Sequence, residues 1–255
     1  MLRTKSPQFE SLQNSVLNVY LLPETPWEET VLLQQRLVYE LSEAPRRRAA
    51  LVLCEHPPVI TVGRQGSRQH IRLDDDELKS RRWSVRWTNR GGGCWLQIPG
   101  QLAAYCIMPL DPSGLGLASY RDGLYQTMLN VLDEFKIHAE RHPRLSGVWV
   151  GGREIGSVGV AVKNWIAYHG CRLNVCVPLD PFEKVQSNPA SSPDANRAMT
   201  CMFRELRAPV RLDAARESFV RHFTSVFGFK DCYLLNAPPF PRSSKRKADV
   251  AFGKR

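Results

Sequence analysis

The chain has 255 residues, of which 43% are hydrophobic, and a formal net charge of +10. This length is enough to bury a core, and we expect one domain and not two small ones. No stretch approaches the roughly 18 to 20 apolar residues of a membrane span, and the N-terminal segment has no apolar secretion signal, so we expect a cytoplasmic protein without a membrane partner.

The chain is predicted to begin with a strand and a helix. We expect residues 1–15 to form a flexible arm and residues 16–22 (VLNVYLL) to form the first strand. Residues 25–28 (TPWE) match a capping box with proline at the first helical position. They predict a helix with one apolar face, made by Val31, Leu32, Leu37, Val38 and Leu41.

Four short strands are predicted next. Residues 49–54 and 58–62 are apolar and β-branched, and their closeness implies a hairpin or a tight crossover. Residues 83–88 and 102–108 also have strand patterns. The glycines of residues 90–93 (RGGG) are therefore expected in a loop between strands.

The second half of the chain combines helices and strands. Residues 119–135 have helical spacing and should pack on one face of a sheet through Leu124, Met128, Val131 and Leu132. A further sheet segment is expected from three strands with turns at 151–152 and 163–164, at residues 147–150, 155–162 and 165–175.

The predicted elements favour an α+β fold. Residues 188–196 (NPASSPDAN) should form a loop and residues 212–227 a closing helix. The strands occur in clusters and not in strict alternation with helices, which is typical of a mixed or antiparallel sheet flanked by helices. We expect this domain to span residues 16–236.

The basic charge is concentrated near the C-terminus. Residues 237–255 contain six Lys or Arg and one Asp, which is half of the net charge. Their proline-rich and charged composition predicts a disordered basic tail. A nucleic-acid-binding arm, helped by residues 46–48 (RRR), is the alternative, but no helix-turn-helix is recognisable and nucleic acid is not the partner that we expect.

Local chemistry alone leaves the site open. The glycines of residues 90–93 could let backbone N–H groups approach an anion while Arg90 supplies charge, or they could form a tight turn without a ligand. His169 fits a satisfied core histidine and His56 a turn residue. The seven cysteines are odd in number and form no CxxC pair, which favours reduced thiols, and no histidine spacing requires a metal. No G-x-S-x-G elbow supports a serine triad.

Three ordered motifs together resemble the lipoyl(octanoyl) transferases, which are relatives of the lipoate and biotin protein ligases. The motifs are EHPPVITVGR at 55–64, RGGGCWLQIPGQ at 90–101, and GVWV at 147–150 continuing to HG at 169–170. The resemblance covers roughly residues 16–230 and implies a fold like that of the ligases.

The resemblance also implies a reaction. Such enzymes move an octanoyl group from octanoyl-acyl carrier protein to a lysine of a lipoyl domain, in 2-oxoacid dehydrogenase complexes or in the glycine cleavage H protein. A cysteine thiolate carries the acyl group as a thioester and a nearby lysine lowers the pKa of that thiol. No ATP or other cofactor is expected.

The resemblance implies that three segments line the acyl site. These substrate-binding residues are Arg90, Gly91, Gly92, Gly93, Cys94, Trp95, Leu96, Gln97, Ser157, Val158, Gly159, His169, Gly170, Cys171 and Arg172.

The chain departs from the family pattern at the catalytic positions. Glu154 stands where the family has its lysine, and Ala190 stands where it has its cysteine. Gln97 and Ile98 replace the histidine and glycine expected in the glycine loop. A carboxylate raises the pKa of a neighbouring thiol, and alanine cannot form a thioester, so neither catalytic residue is intact.

Two functional hypotheses follow. The first is an octanoyltransferase that uses direct transfer or a substitute group such as Cys94, Cys201 or Lys163. The second is a non-catalytic protein that binds acyl groups or lipoyl domains.

Overall fold

The computed structural model describes residues 15–43, 48–111, 114–142, 146–187 and 199–235. The strands are β1 (Val16–Glu24), β2 (Arg48–Glu55), β3 (Val59–Val62), β4 (Ser84–Trp87), β5 (Cys94–Gln97), β6 (Gln101–Pro109), β7 (Glu140–Arg141), β8 (Val148–Val150), β9 (Arg153–Lys163), β10 (Ile166–Asn174) and β11 (Asp231–Leu235). The helices are α1 (Trp27–Glu43), α2 (Asp75–Arg81), α3 (Leu117–Glu134), α4 (Met202–Leu206) and α5 (Leu212–Phe227). The predicted loop at 188–196, the tail at 237–255 and residues 1–14 of the predicted arm lie outside the described residues.

The strands form two sheets. The large sheet has eight strands in the order β11-β1-β2-β6-β10-β9-β8-β7, with β1 parallel to both of its neighbours and the other pairs antiparallel. The small sheet has the order β4-β3-β5, with β3 parallel to β4 and antiparallel to β5. The predicted mixed sheet flanked by helices is confirmed.

Helices cover both faces of the large sheet. Helices α3 and α5 pack on one face, around Phe219, Phe223 and Phe227 of α5 and the buried side of α3. Helix α1 covers the opposite face through Leu33, Leu37 and other buried residues. No helix within the described ranges is long and apolar enough to cross a membrane.

Two predicted features are confirmed, the closing helix with its bounds and the β9–β10 hairpin with a shifted turn. Helix α5 has the predicted bounds because Gly228 follows it at a positive φ of 75°, a conformation that ends a helix and suits glycine. Strands β9 and β10 form the predicted hairpin, but its turn is one residue later than the predicted 163–164. The turn residues Asn164 and Trp165 both have positive φ, as a two-residue turn of type I′ requires.

The structure decides between two predicted connections and corrects one sheet assignment. Strands β2 and β3 are joined by the tight crossover and not by the hairpin, because β2 lies in the large sheet and β3 in the small one. The chain crosses between the two sheets at Pro57 and Pro58. Strands β8, β9 and β10 are not a separate sheet segment, since β10 pairs with β6 and continues the large sheet.

The start of α1 also differs from the prediction. The Thr25 hydroxyl donates to the carbonyl of Pro23 and does not cap the helix, while Glu28 forms an ion pair with Arg86. Leu32 is 63% exposed, because the buried face passes through its neighbour Leu33. The predicted capping box and apolar face are therefore each wrong in part.

Five elements were not predicted. They are β5, β7, β11, α2 and α4, all of seven residues or fewer. Helix α2 carried a usable signal, because Asp74 and Glu77 form a complete capping box. Strand β5 was assigned to the glycine loop, although its four residues are buried and pair with β3.

Candidate functional site

The glycine loop lies between β4 and β5 and is held by its own backbone. The N–H of Gly91 donates to the carbonyl of Val160 in β9, at 2.9 Å. A Cβ at Gly63 would come within 2.5 Å of the Gly92 carbonyl oxygen, and Gly92 itself has a positive φ of 84°. The glycines thus let the loop pack closely against the end of β3, while the Gly91 hydrogen bond joins it to β9.

Arg90 is directed into the protein. Its Nη2 donates to the carbonyl and hydroxyl of Thr61 at 2.8 and 2.9 Å, and its Nη1 donates to the carbonyl of Gly91. The guanidinium lies 3.8 Å from the ring centre of Trp95. Burial, and secondarily the charge of Arg172, hold the pKa of Arg90 well below its usual value. Arg90 therefore fixes the loop and its charge does not face an open cavity.

Trp95 fills the space between the sheets. The guanidinium of Arg172 lies 5.0 Å from the same ring, so two cations contact one indole. A Cβ at Gly159 would lie within 2.8 Å of the ring, which shows how closely the indole rests on β9. Only 7% of Trp95 is exposed.

We call the space beside Trp95 the inner cavity. It has about 10 Å³ of free volume, which is room for one water molecule at most. Its lining includes the predicted site residues Arg90, Trp95, Gln97, His169, Gly170 and Cys171.

We call the larger space outside the glycine loop the outer cavity. It measures about 470 Å³. The predicted residues on its wall are Gly91, Gly92, Val158 and Gly159. The predicted residues that line a cavity are thus distributed over two separate cavities.

Five predicted residues line neither cavity. Cys94 and Leu96 are buried in the core of the small sheet, and the carbonyl of Gly93 accepts a backbone hydrogen bond from Gly63. Ser157 and Arg172 contact Glu154. The resemblance implied that all five line the acyl site. Cys201 is also buried, with its thiol 3.8 Å from the carbonyl of Val177.

The Glu154 carboxylate is buried and contacts two serine hydroxyls and one guanidinium group. Its carboxylate accepts hydrogen bonds from the hydroxyls of Ser157 and Ser187 and lies 3.7 Å from Nη2 of Arg172. Arg172 donates from Nε to Ser157 at 3.2 Å and from Nη1 to the carbonyl of Leu96 at 2.8 Å. Ser157 and Arg172 face each other because they are register partners on β9 and β10.

Burial is the largest influence on both members of this pair. It raises the pKa of Glu154 and lowers the pKa of Arg172 to about 10, and in each case the opposite charge of the partner acts against it. The pair neutralises itself inside the protein, so neither charge is available to a ligand.

Some lining residues had no sequence signal. Tyr105 and Ala103 lie on the inner cavity but belong to the fully buried apolar run of β6, which predicts only core. Thr88 and Asn89 contact His169 Nε2 at 3.3 and 3.0 Å. Their place directly before Arg90 could have suggested that they belong to the site.

Two buried histidines are neutral. Nδ1 of His56 donates to the carbonyl of Thr25 at 2.7 Å, so its Nε2 accepts from the hydroxyl of Tyr105. Burial lowers the pKa of His56 to about 4, and burial with the charges of Arg90 and Arg64 lowers the pKa of His169 to about 3. His56 is a core residue and not a turn residue, which corrects the prediction. His169 is a buried histidine with hydrogen-bond partners, as predicted.

Acidification should destabilise the protein through these two side chains. When the pH is lowered from 7 to 5, the unfolded chain binds protons at both histidines and the folded chain does not. The free energy of unfolding should therefore decrease by about 2 kcal/mol per histidine at pH 5. Guanidinium unfolding at both pH values measures this loss, and His56→Gln should remove about half of it. His138→Gln, at an exposed position, is the control. A full loss in His56→Gln would contradict the assignment.

Comparison with known proteins gives the family. The lipoyl protein ligase A/B catalytic domain model matches residues 27–224. An octanoyltransferase of Solibacter usitatus is 36% identical over 180 residues, which are 71% of this chain and 79% of that protein. An octanoyltransferase of Caldicellulosiruptor saccharolyticus is 34% identical over 84% of this chain and 90% of that protein.

Solved structures agree on the fold. A bipartite lipoate protein ligase from Thermoplasma acidophilum superposes with a TM-score of 0.70 at 15% identity, covering 87% of this chain and 88% of that chain. A biotin protein ligase from Leishmania major gives 0.51 at 14% identity, covering 83% and 74%. The chain therefore belongs to the lipoyl protein ligase A/B catalytic domain family, and the relatives that it matches at these identities are octanoyltransferases.

Proposed function

We propose that this protein acts in the octanoyl-transfer step of lipoate biosynthesis as a binding protein for lipoyl domains, and that it does not carry the acyl group itself. The observation that supports this proposal most strongly is the buried Glu154–Arg172 pair. The domains that it would bind are those of 2-oxoacid dehydrogenase complexes or the glycine cleavage H protein.

The pair argues against the family's chemistry. The resemblance assigns Glu154 to the position of the lysine that lowers the pKa of the catalytic thiol. A carboxylate acts in the opposite direction, and this one is already bound to Arg172 and two serines. Position 190, assigned to the nucleophile, is alanine. Loss of a covalent nucleophile typically costs orders of magnitude in rate.

The substitute nucleophiles have poor surroundings for this role. Burial raises the pKa of the Cys94 thiol, and its Sγ lies 3.5 Å from the carbonyl of Ser67. The Cys201 thiol is buried in the small-sheet core. The inner cavity also has no room for an acyl chain while Trp95 keeps its position. Together these features favour binding without acyl transfer.

An active octanoyltransferase is the second candidate. The names of relatives that are 34 to 36% identical to this chain favour it. In that case octanoyl-acyl carrier protein would be the donor and the lysine of a lipoyl domain the acceptor, with transfer directly between the two carriers by proximity.

One experiment separates the two candidates. The purified protein is mixed with octanoyl-acyl carrier protein and an apo lipoyl domain, and the intact mass of the lipoyl domain is followed while its binding is measured by NMR titration. We expect binding without a gain in mass. A gain in mass would establish the transferase, and absence of both binding and transfer would overturn both candidates.

A variant that restores the family's lysine and cysteine must also remove the charge of Arg172. Glu154→Lys alone would place a second cation beside Arg172 in a buried site, which is destabilising. The gain-of-function variant is therefore Glu154→Lys/Arg172→Ala/Ala190→Cys, with Glu154→Ala/Arg172→Ala as its control. Transfer by the first variant alone would mean that the missing side chains, and not docking, prevent turnover in the natural chain.

A further inference from the structure

A third cavity lies beside the short helix α4. It has a volume of about 310 Å³, at the lower end of the range of small-molecule sites. Its lining consists of Arg153 at the start of β9 and of Arg204, Glu205 and Arg207, which lie in α4 or directly after it. We call it the α4 cavity. All four lining residues are charged, and none of them lines the inner or the outer cavity.

The one carboxylate on the α4 cavity already accepts hydrogen bonds at both oxygens. Arg153 donates from Nη2 to the two oxygens of Glu205 at 3.0 and 3.1 Å, and from Nε to Oε1 at 3.3 Å. The hydroxyl of Thr200 donates to Oε1 as well. The side chain of Glu205 is only 13% exposed, so solvent ions screen this pair less than a surface pair. Glu205 therefore balances the charge of Arg153.

The other two arginines of the α4 cavity remain uncompensated. Arg204 and Arg207 form no ion pair and no side-chain hydrogen bond with any residue in the ranges that the structure describes. With three arginines against one glutamate, the lining carries two net positive charges. A guanidinium group can donate two parallel hydrogen bonds to one oxyanion, and this geometry suits phosphate. Two such groups on one cavity can hold the same anion together.

We propose that the α4 cavity binds a dianionic phosphate group, free or carried by a small polar molecule, between the guanidinium groups of Arg204 and Arg207. A dianion matches the two uncompensated charges, whereas a monocarboxylate matches only one. The charged lining offers no apolar side chain to a hydrocarbon body. This inference goes beyond the proposed function and does not depend on it, because no acyl group or lipoyl domain takes part.

NMR titration of the full chain at pH 8 tests the proposal through the Nε–H signals of the arginine side chains. The probes are inorganic phosphate and glycerol 3-phosphate, which separate free phosphate from phosphate on a larger molecule. Dimethyl phosphate has a single charge, and sodium chloride at matched ionic strength controls for screening. We expect saturable shifts of the Arg204 and Arg207 signals, with dimethyl phosphate about five- to tenfold weaker than the tighter dianion.

Two results of the titration would overturn the proposal. One is an equal affinity for the dianions and dimethyl phosphate. The other is the absence of saturable shifts at millimolar phosphate, or shifts that chloride reproduces. The order of affinity of the two dianions identifies the source of the phosphate group.

Charge-removing variants assign the contacts. Arg204→Gln and Arg207→Gln should each weaken phosphate binding by about five- to tenfold, the range for a charge-assisted hydrogen bond. Both residues are exposed, so neither substitution should change the stability of the fold. Arg72→Gln is the matched control, because Arg72 is also exposed, does not line the α4 cavity and loses the same charge. An equal loss of binding in Arg72→Gln would mean that phosphate follows net charge and not this cavity.

Glu205→Gln supplies a test of opposite sign. Glutamine keeps an oxygen that accepts from the hydroxyl of Thr200 but has no charge, so Arg153 becomes a third uncompensated cation. Phosphate should then bind about three- to fivefold more tightly. Unchanged or weaker binding would refute the site. None of these measurements contains a lipoyl domain, so their failure would leave the proposed function standing.

Discussion

Replacing Arg172 with methionine should destabilise the protein by about 3 to 5 kcal/mol, whereas replacing Arg172 and Glu154 together should change stability little. Removal of one partner leaves the other charge buried without compensation. Removal of both leaves two apolar side chains in a site that is closed to water. Glu154→Met alone should cost a similar amount, since the buried guanidinium would keep its charge.

Chemical unfolding of the unsubstituted protein, the two single variants and the double variant gives the coupling free energy between positions 154 and 172. A surface pair supplies the comparison. Arg141 and Asp122 are 2.8 Å apart but about half exposed, so Arg141→Met should cost less than about 1 kcal/mol. Additive effects of Arg172→Met and Glu154→Met would mean that the two side chains do not act as a pair.

The pH dependence distinguishes an unpaired carboxylate from simple loss of packing. Burial already raises the pKa of Glu154, and removal of Arg172 would raise it further. A group whose pKa is raised by folding stabilises the folded state most at low pH. The penalty of Arg172→Met should therefore decrease on going from pH 8 to pH 5, while a packing defect would cost the same at both.

Much of the fold was predictable because local patterns determine it. The apolar spacing of α5 is interrupted by Gly228, and the β9–β10 turn contains Asn164, which tolerates positive φ. Sheet membership was not predictable, because it depends on contacts between distant segments. Nothing in the sequence around Pro57 and Pro58 indicates that β2 joins β6 while β3 joins β5.

The resemblance selected the residues of the candidate site, but the sequence did not predict their contacts. The resemblance pointed to Glu154 as an unusual residue, but a sequence does not state that Arg172 will face Ser157 across a strand pair and reach that carboxylate. Arg90 was expected to supply charge to a ligand. In the structure Arg90 donates hydrogen bonds to the carbonyls of Thr61 and Gly91. Thr61 lies on β3, which the sequence does not place beside Arg90.

Replacing Trp95 with alanine should cost about 3 to 5 kcal/mol, the usual range for a buried aromatic residue. The substitution removes the contact with Gly159 and both guanidinium contacts, from Arg90 and Arg172. It should also enlarge the inner cavity by roughly the size of an indole, as large-to-small changes do when the surroundings relax only partly.

Added indole should then restore part of the lost stability in Trp95→Ala, because a ligand that binds only the folded state stabilises it. Thermal unfolding with and without indole measures the effect, and the unsubstituted protein should not respond. Trp165→Ala, at a half-exposed position, should lose little stability and gain nothing from indole. If indole has no effect on Trp95→Ala, the neighbouring side chains have collapsed into the space, and the inner cavity cannot be opened by this residue alone. If indole binds, Trp95 is the side chain that closes the cavity, and the same variant becomes the background in which to ask whether an octanoyl chain can enter.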